Sequence, residues 1–204
     1  VLNSAFGRIG GASELAKNQV FSQFGGSGIH LSGSSKVSIV GNHIGTDGYH
    51  LTADAHYPDA VAVWPNLGNG LANSPNLGNG MHGIDVFGRS RDVTIDNNRI
   101  VDNGMSGVSV ATGSANVVLT NNQIGVFVHP VTGNVHAAGN DADGVTINAA
   151  NGNTVGSGNV IGHNLGSGVR VENSVAAGLA TGNRVAGSEI FGNREHGVHI
   201  TGSS

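Results

Sequence analysis

Six times along the chain a short motif returns. A small or polar residue precedes a glycine, and then branched apolar, polar and branched apolar residues follow. It reads SGIHL at 27–31, HGIDV at 82–86, SGVSV at 106–110, DGVTI at 143–147, SGVRV at 167–171 and HGVHI at 196–200. The anchor glycines are Gly28, Gly83, Gly107, Gly144, Gly168 and Gly197. Two of the gaps between them are 24 residues, and the others are 29, 37 and 55. A basic unit of about 24 residues with insertions accounts for the series. Each motif alternates apolar and polar with period two, which is the mark of a short strand with one buried face. One such turn of chain cannot bury its own apolar side. Successive turns must stack, with equivalent strands paired in parallel and the inward Val, Ile and Leu forming one core.

A second motif precedes the anchor: Asn, any residue, branched apolar. It reads NQV at 18–20, NHI at 42–44, NRI at 98–100, NQI at 122–124, NVI at 159–161 and NRV at 183–185. A further asparagine lies four residues before five of the anchors: Asn79, Asn103, Asn140, Asn164 and Asn193. Asparagine tolerates left-handed turns, and stacked side-chain amides can bond one another along an axis. These five are therefore expected to form a structural ladder. No window supports a helix well, GASELAKNQ near residue 15 being the only candidate.

Composition narrows the function. The 35 glycines and 11% charged residues suit disorder, but 38% of the chain is hydrophobic and arranged in alternating runs. Net charge is −4 with no basic stripe, which argues against nucleic acid as a partner. No apolar run approaches a membrane span, so membrane insertion is not expected. Cysteine is absent, which removes disulfides and thiolate metal sites.

The quoted motifs, together with IGGASELAKNQV (9–20), GNHIGTDG (41–48) and NVIGHNLGSGVRV (159–171), resemble the right-handed parallel β-helix repeat family. That family includes pectin-degrading enzymes, mannuronan C-5 epimerases and large bacterial surface or secreted proteins, and the resemblance is closest to the last group. It implies an all-β chain: a single right-handed parallel β-helix of about six coils over residues 1–204. The start at VLNSAF and the finish at HITGSS, both in mid-pattern, suggest a fragment or unit of a longer repeat protein.

Two insertions, about 45–79 and 125–140, leave the helix at the same corner. The first contains the duplicated sequence PNLGNG at 65–70 and 75–80, read as a repeated return turn. Long loops on a rigid scaffold are where binding concentrates. Tyr57, Trp64, Phe127 and His129 in these loops are expected to offer a ligand surface, since aromatic faces with polar edges suit sugar rings. The outward positions of the anchor strands are His30, Asp85, Ser109, Thr146, Arg170 and His199, and His82 flanks the second anchor. His30, His82 and Asp85 form the best catalytic cluster, a histidine and a carboxylate being suited to acid–base work. No adjacent-coil pair of carboxylates appears in the strand motif.

The histidines show no recognised metal spacing, so no metal site and no cofactor are expected. Calcium alone is left open, by NDADG at 140–144. The expected function is an extracellular or cell-surface structural or binding module, adhesin-like, with a polysaccharide or protein partner. The alternatives are a polysaccharide lyase, hydrolase or epimerase with a groove beside the first insertion, and a self-assembling filament subunit that associates end to end or side by side.

Overall fold

A computed structural model describes residues 5–11, 18–20, 25–45, 78–128, 133–173 and 181–202. Among these residues eighteen of the twenty strands fall into three sheets of six, and all pairing within those sheets is parallel. The described residues form an all-β helix of six coils, with one strand per coil in each sheet.

Sheet 1 carries the anchor motifs, in the strands Ile29–Ser32, Ile84–Phe87, Val108–Ala111, Val145–Asn148, Val169–Glu172 and Val198–Thr201. Their register is in phase. Leu31 pairs with Val86, Val86 with Val110, Val110 with Ile147, Ile147 with Val171 and Val171 with Ile200. From Leu31 to Val171 this column is buried. Sheet 2 follows a short turn and includes Ser38–Val40, Arg91–Asp96 and Ala115–Thr120. Sheet 3 is made of very short strands such as His43–Ile44, Arg99–Ile100 and Gln123–Ile124. Ile39, Ile95 and Leu119 from sheet 2 and Ile44, Ile100, Ile124 and Ile161 from sheet 3 meet the sheet 1 column in one core. Burial of about 25 cal/mol per Å² of apolar surface makes this column the main source of stability.

Asparagine holds two corners. Between sheets 3 and 1, Asn79 Nδ2 donates to Asn103 Oδ1 at 2.7 Å, Asn103 to Asn140 at 2.7 Å, Asn140 to Asn164 at 2.8 Å and Asn164 to Asn193 at 2.9 Å. A second ladder fills the corner between sheets 2 and 3. It runs from Asn18 to Asn42, Asn98, Asn122 and Asn159, each step between 2.9 and 3.0 Å. Each receiving oxygen in these middle steps also accepts a backbone N–H, as when Asn42 N donates to Asn98 Oδ1. Buried turn groups are thereby satisfied, which an apolar side chain could not do.

The motif NRV at 183–185 departs from the sequence reading. Its strand, Arg184–Val185, lies in sheet 2 rather than sheet 3, and Asn183 accepts from Asn153 instead of extending the second ladder. In the last coil sheet 3 is Glu189–Phe191, and Ser188 takes the place of the ladder asparagine. Two residues of spacing cannot tell one corner from another when both use Asn followed by a branched residue.

The described part of the second insertion is an antiparallel hairpin, Val126–Val128 with Val135–Ala137. Residues 46–77 of the first insertion, including the copy of PNLGNG at 65–70, lie outside the described residues.

Candidate functional site

The outer face of sheet 1 brings the expected residues into a single strip. His30 pairs with Asp85, Asp85 with Ser109, Ser109 with Thr146, Thr146 with Arg170 and Arg170 with His199. The strand spacing of about 4.8 Å sets their separation, and Ser109 in the middle of the strip is buried. A second column beside it holds the residues just before the anchor glycines. It is fixed by backbone bonds from each glycine N–H to the carbonyl of His82, Ser106, Asp143, Ser167 and His196 in turn.

The two ends of the strip differ chemically. At one end, His30 Nδ1 lies 2.8 Å from Asp85 Oδ2, with His30 exposed and Asp85 largely covered. His82 stands beside them. Burial lowers the pKa of His82, and the Asp85 charge and the Ser106 backbone pull weakly the other way. Its Nδ1 is buried and has no hydrogen-bond partner among the described residues. A neutral imidazole with a vacant nitrogen is a proton acceptor, and the carboxylate beside it stabilises the cation that protonation forms.

At the other end the charges are already matched. Asp143 accepts from Arg170 Nε at 2.9 Å, from Thr146 Oγ1 at 3.0 Å and from the Ser167 N–H at 2.7 Å. Arg170 also donates to Glu195 at 2.8 Å. These groups tie three coils together and leave Asp143 saturated. His196 and His199 complete this end, their ring centroids 4.5 Å apart.

The expected ligand surface on the insertions is changed at Phe127. That ring is fully buried. It lies under the Arg99 guanidinium at 4.2 Å and stacks on His136 at 5.8 Å. Together with Val101 and Ala138 it forms a small second core beneath the hairpin, so it offers no face to a ligand. Alternation along the hairpin does not reveal that it folds down over sheet 3. Tyr57, Trp64 and His129 lie outside the described residues.

Sequence reasoning missed Asp102, at the corner where both insertions leave. It is 5% exposed, and its Oδ2 has no hydrogen-bond partner among the described residues. Burial first, and then the charge of Asp141, push its carboxyl up to about 7. The signal was a carboxylate beside a ladder asparagine, which the spacing alone marks as turn. Among the described residues no group of three or more His, Asp or Glu side chains converges to hold a metal ion. No helix among them is long and apolar enough to cross a membrane.

With the coils, ladders and strip in view, comparison with known proteins decides the family. The family described as "Right handed beta helix region" matches residues 5–126. The chain belongs to the right-handed β-helix family. No curated protein matches the sequence. Among solved β-helix structures it is similar to a mutant of the periplasmic alginate epimerase AlgG, with a TM-score of 0.52 and 16% identity, over 86% of this chain and 35% of that one. It is similar to AlgG itself at a TM-score of 0.50 and 12% identity, over 98% of this chain and 39% of that one. The Dettilon tailspike protein matches at a TM-score of 0.45 and 16% identity, over 90% and 34% of the two chains. At such identities the likeness is one of fold. This β-helix spans between 34% and 39% of the length of these structures.

Proposed function

We propose that the chain is a polysaccharide-binding β-helix module, extracellular or displayed at a cell surface, using the outer face of sheet 1. The observation that carries this reading is the in-register strip from His30 to His199. A rigid row of donors and acceptors at a regular spacing matches a linear polymer of hydroxylated rings better than it matches a small compact ligand. The described β-helices that it resembles include an alginate epimerase, which gives a polysaccharide partner support at the level of fold. The reading calls for no cofactor, and it treats residues 1–204 as one module of a longer repeat protein.

The test is affinity electrophoresis against a panel of acidic and neutral polysaccharides. Retardation by at least one is expected, with affinity falling about tenfold or more, equivalent to ~1.4 kcal/mol, when His30 and Asp85 are both replaced by Ala. Equal mobility on every polymer defeats the reading.

One observation favours a second reading, that of a polysaccharide-active enzyme. His30, Asp85 and His82 form an acid–base group at the edge where the first insertion returns to the helix. Under this reading His82→Ala abolishes turnover while leaving polymer binding in place. Absence of new reducing ends, unsaturated sugars or C-5 inversion in the wild-type digest rules it out.

A further inference from the structure

On the far side of the molecule from the strip's chemistry, the corner between sheets 2 and 3 holds a half-open cavity of about 60 Å³, lined by His43, Asn97, Asn98, Arg99, Asn121 and Gln123. The backbone builds it by repetition. His43, Arg99 and Gln123 occupy one register position on three successive coils of sheet 3. Asn97 and Asn121 occupy the left-handed turn position just before the ladder, with φ of 53° and 55°. None of the six lining residues is acidic. Asp96, the carboxylate that precedes the corner, accepts from Thr120 Oγ1 at 2.7 Å and from Asn121 Nδ2 at 2.9 Å.

Arg99 is held in place before any ligand arrives. Its guanidinium lies 4.2 Å above the Phe127 ring, and Nε donates to Gln123 Oε1 at 3.4 Å. That same Gln123 oxygen accepts the Val128 N–H at 3.1 Å, so the hairpin and the guanidinium share one anchor. His136 covers the other side of Phe127. The second insertion thus folds over sheet 3 and supplies the aromatic floor on which Arg99 rests. A planar guanidinium fixed against a ring loses little freedom on binding an oxyanion.

We propose that this cavity is a subsite for a compact oxyanion, a carboxylate or a sulfate, held by Arg99 and His43 with the Asn97, Asn121 and Gln123 amides around it. The cavity is small, half-open and polar, so a polymer would engage it through a charged substituent. The site stands apart from the strip on sheet 1 and does not depend on the function proposed for it.

The probes are inorganic sulfate, acetate and a short uronic-acid oligosaccharide, followed by calorimetry and by side-chain NMR of His43 and Arg99 in the wild-type chain. Saturable sulfate binding is expected, with shifts at both side chains. Arg99→Gln should weaken it about tenfold or more. Arg99→Lys, which keeps the charge but loses the fork, should fall between the two. Arg184→Gln, on sheet 2, should bind as the wild type does. An oligosaccharide that binds more tightly than acetate, and through Arg99, marks the anion as one carried on a polymer; equal binding marks a free anion. Both support the subsite. Since Arg99→Gln also removes the contact with Phe127, its far-UV circular dichroism and melting point are recorded alongside. The proposal is overturned if sulfate leaves the wild-type His43 and Arg99 signals unmoved, or if a folded Arg99→Gln binds sulfate as tightly as the parent.

Discussion

Asp102 is the residue whose chemistry most opposes its position. Its left-handed φ of 55° and its N–H bond to the Ala138 carbonyl place it in a turn that favours Asp or Asn. Its carboxyl, however, is enclosed, with one oxygen unpartnered among the described residues. In the unfolded chain the group titrates near 3.8, and in the fold near 7. The folded state therefore holds a proton that the unfolded state has released across that interval. Stability is fully present below pH ~4, declines as pH rises and is lowest above pH ~7, where the cost is up to about 4 kcal/mol. Asp102→Asn keeps the turn preference and removes the charge. It should raise stability in urea unfolding at about pH 8 by a few kcal/mol and change little at about pH 4. A variant whose gain is the same at both pH values would place the cause outside this titration.

At the scale of the coil, the anchor glycine is required by space rather than by backbone angle. A Cβ on Gly107 would stand 2.7 Å from Ile124 Cγ2, 2.8 Å from the Gly144 carbonyl and 2.9 Å from Asn140 Nδ2. The ladder amide of one coil and the glycine of the previous coil occupy the same corner, so the two motifs imply each other. Gly107→Ala should cost about 1–3 kcal/mol through overpacking. The last anchor is the control: at Gly197 an added Cβ meets only Ile190 Cγ2, at 3.9 Å. Gly197→Ala should be neutral or mildly stabilising in thermal melts, and equal losses at the two positions would refute the stacking argument. These motifs were legible because glycine and asparagine have few substitutes where coils touch. Sheet 2 was not, since its strands range from Thr154–Val155 to the six residues Arg91–Asp96 and share no fixed punctuation. The second ladder was half visible: the Asn-x-Ile motif stood out, but only the five asparagines before the anchors were expected to stack. Phe127 was misplaced because nothing local records which way a hairpin folds.

For the whole molecule, the apolar column raises the question of what lies beyond its last described member. Ile200 sits in register with Val171, an inward position, yet it is 74% exposed, and Val198 beside it is 43% exposed. The same inward position is fully buried at Val86, Val110 and Ile147, where a coil lies on each side. The difference is therefore one of neighbours rather than residue type. Among the described residues, the strand Val198–Thr201 pairs on one side only, with Val169–Glu172. It presents unpaired backbone together with two large apolar side chains, the combination that templates strand addition. In residues 1–204 on their own, this layer is free to meet its counterpart on a second copy, so association should rise with concentration. Ile200→Lys puts a charge into the uncovered layer and should shift the sedimentation profile toward monomer. It should leave the melting temperature nearly unchanged, because that side chain is already solvated. A parent chain that remains monomeric across the whole concentration series would show that this layer is not an association surface.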